Sequence, residues 1–222
     1  MPPAGSRQQQ TDRRRREILD AALATINQVG ESGTFIQEVC RRAGVSVGTL
    51  YHHFGSKDLL VATLHYSVLN AYQSGAGPIL AADPPAERGI RDTVAYHAGW
   101  LTSHPSEATF LLQQPFAGYR SDRVPSDLVD ENELFLQTVR GWLERQMDSN
   151  GLRRLPFEVV VALLIGPIHH WARTELFRTR RDPERTSARR RDQAIAHLAD
   201  GIWLALGPAT PVQAVPAADQ TS

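Results

Sequence analysis

Catalytic or metal chemistry has few places to start in this chain. The nearest approach to a metal site is a set of four histidines. His169 and His170 are adjacent, so on a helix they point in different directions, and His97 and His104 lie seven apart with no third ligand close in sequence. Neither pair offers metal geometry, and no metal is expected. Cys40 is the single thiol, and it reads as a small packed residue rather than a redox sensor, because apolar burial raises a thiol's pKa and dulls it. No nucleophile elbow, phosphate loop, His-Glu-x-x-His motif or cysteine cluster is present. The reading therefore expects neither an enzyme nor a cofactor.

The densest pattern runs from Thr34 to Phe54. Thr34 opens a helix, with Gln37 three residues on to complete a capping box and Val39 and Ala43 on the buried side. Cys40 is small where a second helix would cross, and Gly44 supplies the positive φ of a tight turn. Ser46 then caps a short helix ending at Phe54, and Val39, Val45 and Leu50 form the small core of the crossing. Together these make a helix-turn-helix.

The surrounding elements also read as helical, which makes the fold class all-α, with about nine helices. Ile18, Leu19, Ala22, Leu23 and Ile26 recur at three and four residues, and Gly30 ends that helix. Ser56 caps a helix running to about Tyr72. Residues 75–86, with Gly75, Gly77, Pro78, Asp83, Pro84 and Pro85, read as a loop. Further helices are expected around Ile90–Leu101, Glu107–Phe116, Leu128–Met147, Phe157–Phe177 and Ile195–Leu206. The tail from Gly207 reads as disordered, as do residues 1–10.

Charge and hydropathy narrow the partners. The 24 basic and 24 acidic residues cancel, so the molecule as a whole is no polycation, and any nucleic-acid site must be local. Residues 1–57 carry eight basic and five acidic side chains, a net of +3 that leaves −3 for the rest. The longest apolar run, Val159 to Ile168, is ten residues, about half of the ~20 that cross a bilayer. The mixed charges after Arg13–Arg16 do not form a secretory signal. A cytoplasmic location with no membrane association is the expectation.

The residues after the turn, Ser46-Val47-Gly48-Thr49-Leu50-Tyr51-His52-His53-Phe54-Gly55-Ser56-Lys57-Asp58-Leu59-Leu60, resemble the signature of the TetR (tetracycline repressor) family. The resemblance covers roughly Arg13 to Leu64. It implies an all-α homodimer with an N-terminal DNA-binding domain (11–57) and a divergent ligand-binding and dimerisation domain (58–206). By this resemblance Val47, Gly48 and Thr49 lie at the exposed start of the recognition helix, beside Ser46 and His52. Tyr51, His53 and Lys57 reach phosphates, as do Thr34 and Gln37. Thr34 and Ser46 serve first as helix caps. Arg13–Arg16 form either a contact arm or a solvated helix start. Two positions depart from the pattern. Val47 replaces a side chain that is often polar, which suggests contact with a thymine methyl, and Gly55 replaces a frequent proline, which would loosen the joint.

The C-terminal half yields less. The last two helices have broad apolar faces that a second copy would cover as a four-helix bundle, with Leu164, Ile168, Trp171, Ile195, Leu198, Ile202 and Trp203 as the seam. Pro167 should kink its helix, making room for a ligand or only adjusting packing. His97, Trp100, Phe110, Phe116, Tyr119, Phe135 and Trp142 are either pocket lining or core. The candidate ligand contacts are His97, Trp100, Phe110, Phe116, Trp142 and His170. The function expected is a ligand-responsive transcriptional repressor that binds a near-palindromic DNA operator as a homodimer and is released by a small, apolar or aromatic-compatible effector. The alternatives are an architectural DNA-binding dimer without effector and an enzyme with a DNA-binding head.

Overall fold

The computed structural model describes residues 4–31, 33–113, 124–182 and 187–208. All regular structure among them is helical: α1 (Ala4–Val29), α2 (Phe35–Ala43), α3 (Val47–Phe54), α4 (Lys57–Ala81), α5 (Ala86–Ser103), α6 (Pro105–Gln113), α7 (Ser126–Asp148), α8 (Phe157–Arg181) and α9 (Ala188–Leu206). Helices α1 to α3 make a small head, in which α1 packs on α2 and α3 sits between α2 and α4. In the body α5 is the hub, touching α4, α6, α8 and α9, while α7 lies along α4. Helix α6 turns back to α1, where Asn27 Nδ2 donates to the Ser106 carbonyl at 2.9 Å. One apolar core runs through both parts, from Ile18, Val39 and Leu50 to Val94, Phe110 and Ile168.

The caps explain where the head's helices stop and start. Gly44 has φ 62°, and the Val45 amide just beyond it donates to the Cys40 carbonyl at 3.0 Å. Ser46 is extended, and its Oγ accepts from the Thr49 amide at 3.0 Å; Ser56 caps α4 through the Leu59 amide at 3.1 Å. The capping box expected at Thr34 does not form. Thr34 has φ −96° and ψ 5°, outside the extended region a capping side chain needs, and it makes no side-chain cap bond. Gly55 has φ 77°, which no proline ring can adopt, so it defines the joint between α3 and α4 rather than loosening it.

Elsewhere the sequence misled in specific ways. The expected loop at 75–86 is mostly helix, because α4 runs on to Ala81 with Pro78 in its last turn. Gly75 serves a helix crossing: a Cβ there would lie 2.3 Å from the Tyr96 hydroxyl, which donates to the Tyr72 carbonyl at 2.8 Å. The true turn is Ala82–Pro85, with Asp83 at φ 48°. Helix α1 begins at Ala4, inside the stretch read as disordered, and α8 continues as helix through Pro167. Phe116, Tyr119 and the tail from residue 209 lie outside the described residues.

Three members of the seam set lie inside the chain. Leu164, Ile168 and Ile202 are buried within the chain, and Trp171, Ile195, Leu198 and Trp203 pack partly on the core. Helix α5 packs against both α8 and α9. Val159, Phe177 and Leu204 are the exposed large apolar side chains on these two helices.

Candidate functional site

The first candidate is the outer face of the head. Leu50 and Phe54 anchor α3 in the core, which turns Val47, Gly48, Tyr51 and His52 to solvent. Thr34, Gln37 and Ser46 are exposed, whereas Thr49, His53 and Lys57 are half-buried. Thr49 Oγ1 lies 2.9 Å from Ser46 Oγ, so its hydroxyl is tied to the cap. Lys57 Nζ is 3.3 Å from the Glu31 carbonyl and 3.5 Å from Glu31 Oε2, and it sits over the Phe35 ring at 5.4 Å. An outgoing phosphate contact from Lys57 therefore requires it to exchange partners.

Arginines 13–16 are not an arm. All four lie within α1; Arg13 and Arg14 pair with Glu17 at 3.6 and 2.8 Å. Arg15 points inward, where its Nη1 donates to the His53 carbonyl at 2.7 Å and its guanidinium covers the Phe54 ring at 4.7 Å. That bond neutralises an open carbonyl at the end of α3 and fixes the short helix against α1. Sequence reading missed this role, since nothing in the spacing of residues 38 apart announces it. The same surroundings push the His53 pKa down, mainly through burial and then through His52, Arg15 and Arg14. Glu38 is held at about 2 by the side-chain bond from Arg41, opposed by desolvation and reinforced by Arg42.

The second candidate lies where α4, α5 and α7 meet. Around the Tyr72 ring stand Tyr96 at 5.6 Å, His97 at 5.0 Å, Trp100 at 5.4 Å and Phe135 at 6.4 Å, mostly edge to face. His97 also stacks on His169 at 5.1 Å. Burial, followed by the charge of His169, drops the His97 pKa to about 3; burial, followed by Arg173, drops that of His169 to about 4. Both imidazoles are thus neutral near pH 7. His97 is buried with no hydrogen-bond partner on either ring nitrogen.

Of the six expected ligand contacts, the structure groups only His97 and Trp100 in this cluster. Phe110 is fully buried against His65, at 6.2 Å, and Trp142 lies on Gly89 with its Nε1 donating to the Pro84 carbonyl at 3.0 Å. His170 faces solvent, because its neighbour His169 takes the inward position on α8. Phe116 is outside the described residues. Beside the cluster, a cleft of about 310 Å³ opens between α4 and α7, lined by residues that include Asn70, Gln73, Gly77, Glu131 and Phe135. Its polar members went unnoticed in the sequence because they sit about 60 residues apart and meet only through the α4–α7 packing.

Among the described residues no three His, Cys, Asp or Glu side chains gather as a metal site, and no helix is long and apolar enough to cross a membrane.

Comparison with known proteins places the head. Residues 18–64 match the family model described as bacterial regulatory proteins, tetR family. The HTH-type transcriptional regulator BetI of Cronobacter sakazakii is 28% identical over 197 residues, covering 86% of this chain and 78% of that protein. BetI of Paraburkholderia xenovorans is 36% identical over 113 residues, covering 50% of this chain and 56% of that protein, so the match to it spans little more than half its length. Solved structures share the fold. A TetR family transcription regulator from Marinobacter aquaeolei superposes with TM-score 0.71 at 17% identity, over 91% of this chain and all of that one. Bacillus subtilis FadR, solved in complex with stearoyl-CoA, gives TM-score 0.59 at 16% identity, over 84% and 98% of the two chains. An exposed, capped α3 behind a glycine turn and a family match across that same segment lead to one conclusion: the head is a tetR-family helix-turn-helix, and the chain is a DNA-binding transcriptional regulator built on it.

Proposed function

We propose that this regulator is a repressor that binds a near-palindromic operator as a homodimer and releases it when a small effector enters the body. The observation that carries the reading is the surface of α3. An eight-residue helix with Leu50 and Phe54 buried presents Val47, Gly48, Tyr51 and His52 to solvent, and a groove-reading helix needs such a surface. Val47 and Gly48 approach base edges, with Val47 suited to a thymine methyl. Thr34, Gln37, Ser46, Tyr51, His52, His53 and Lys57 supply backbone contacts, which position the head without reading sequence. Thr49, its hydroxyl tied to Ser46, reads through its methyl group. The proposed head spans residues 11–57 and the proposed body 58–206.

The second copy is proposed to dock on the outer face of α8 and α9. Val159, Ala162, Gly166, His170 and Phe177 are exposed along α8 at spacings that keep them on one face, and Gly201 and Leu204 are exposed on α9. Leu204 is 74% exposed and Phe177 65%, an apolar surface that a second copy would cover. Two heads about 34 to 36 Å apart then meet successive major grooves. The effector is proposed to enter between α4 and α7. A coupling of ~1–3 kcal/mol weakens operator binding about 5 to 150-fold.

Fluorescence anisotropy tests this on a duplex selected by the protein from a random pool and on a scrambled duplex. Tyr51→Ala is expected to weaken binding to both and flatten the salt dependence, while Val47→Ser shifts preference between them. Equal affinity of the wild-type protein for both duplexes overturns operator recognition. Leu204→Asp is expected to yield a monomer in sedimentation with operator affinity lost; a variant that stays dimeric removes α9 from the interface.

A further inference from the structure

The cleft between α4 and α7 has a one-sided hydrogen-bond inventory. Its donors are already engaged. Gln73 Nε2 donates to Asn132 Oδ1 at 2.8 Å, and Asn70 Nδ2 donates to Glu131 Oε2 at 2.7 Å and to the Leu128 carbonyl at 3.2 Å. The hydroxyls of Ser74 and Thr138 donate to the Ala71 and Leu134 carbonyls. Two of its amide oxygens have no donor. Gln73 is 93% buried, and its Oε1 has no donor; Asn70 Oδ1 is also buried without one. A buried amide oxygen without a donor is unfavourable unless something fills the site. The Glu131 carboxylate adds a negative charge at the rim, Asp127, Asp130 and Glu133 share its stretch of α7, and the Phe135 ring forms a wall.

From this inventory we infer that the cleft binds an organic cation bearing N–H groups, a protonated amine or amidinium, with its nitrogen between Gln73 Oε1, Asn70 Oδ1 and the Glu131 carboxylate and its apolar part against Phe135. An N–H cation supplies the donors this wall lacks, and charge-assisted bonds to amide and carboxylate oxygens are the stronger kind. An anion meets only acceptors and a carboxylate. The inference rests on the effector reading above, and it names the class of ligand for that site. The cleft's α4 side, Asn70 to Ala81, belongs to the same helix that Ser56 caps at the head, so an occupant pressing α4 away from α7 bears directly on α3.

Isothermal titration of the full-length protein tests the site with three matched probes: benzylammonium, benzyl alcohol and benzoate. Benzylammonium is expected to saturate a single site per chain, with the neutral and anionic probes weaker by about tenfold or more. Glu131→Gln and Gln73→Leu are each expected to cost about tenfold in benzylammonium affinity. Gly77→Leu keeps every polar group and fills the cleft, since a Cβ at Gly77 meets Phe135 at 3.7 Å with open space beyond. Circular dichroism checks that each variant is folded; should Gln73→Leu fail to fold, Glu131→Gln and Gly77→Leu carry the test. Benzoate binding as well as benzylammonium, no benzylammonium binding, or binding unchanged in the folded variants overturns the inference. Operator anisotropy with each probe separates this result from the effector reading. Cleft binding that leaves operator affinity unchanged sinks the effector role and keeps the site. Release by benzoate with no benzylammonium binding sinks the site and keeps the effector role.

Discussion

The head and the body hold their shape by different means. In the head, short-range bonds set each boundary: Gly44 turns the chain, Ser46 and Ser56 cap the helices they precede, and Leu50 closes a core drawn from neighbouring helices. In the body, rings and notches from distant segments do this work. Trp142 lies on Gly89, Tyr96 fits against Gly75, and Tyr72 collects rings from α5 and α7. The first kind of order is written in local residue types; the second exists only once the helices have packed. A fixed reading surface suits the first, and the second leaves room for a cleft between α4 and α7.

The comparison can be broken most forcefully at Trp142. It is 1% exposed with its indole N–H bonded, so Trp142→Ala is expected to lower stability by about 3 to 5 kcal/mol in urea unfolding. A loss below about 1 kcal/mol would mean that the ring packing is not what holds the body. The next effect is in pH. His97 stays neutral in the folded state down to about 3, whereas the unfolded chain takes up its proton near 6.5. The unfolded state therefore binds more protons between these values, and stability falls as pH drops from 6.5 towards 3, by about 1.4 kcal/mol per pH unit for this residue. His97→Leu is expected to flatten that slope and to raise stability at pH 7 by about 1 kcal/mol, because it removes two buried ring nitrogens without partners. An unchanged slope in the variant rejects the neutral, unpartnered imidazole.

The smallest effects sharpen the account of the head. Ser46→Ala is expected to cost about 1 kcal/mol, since it removes the bond to the Thr49 amide. Thr34→Ala, at a position whose side chain does not cap α2, is expected to cost less than Ser46→Ala in thermal unfolding. Equal losses at both sites would restore a capping role to Thr34.

What could be read from the sequence follows the same division. The turn at Gly44, the caps at Ser46 and Ser56, the burial of Leu50 and the all-helical class depend on interactions within a few residues, and each was legible. Thr34 shows the limit even there, because residue type suggested a cap that the backbone angles at that position refuse. The loop expected at 75–86 failed for a related reason: Gly75 has two uses, turning and close approach, and only the partner Tyr96 decides between them. At the candidate sites, His97 and Trp100 were singled out by type. Gln73, Asn70 and Glu131 were not, since polar side chains on two separate helices carry no mark of meeting. Choosing between His169 and His170 required the rotation of α8, which is set by what α5 presents to it.

The two-residue link between α3 and α4 makes a stiff elbow. Gly55 and Ser56 are both fixed, one by its positive φ and the other by its cap, so the reading helix turns with the long shaft behind it. Lys57 to Gln73 is a lever of about 24 Å at 1.5 Å per residue, so a tilt of about 5° at the cleft sweeps the fingertips of the molecule by about 2 Å. In the homodimer proposed above, two such levers moving in opposite senses would change the span between the heads by about 4 Å, more than one base-pair step of a duplex.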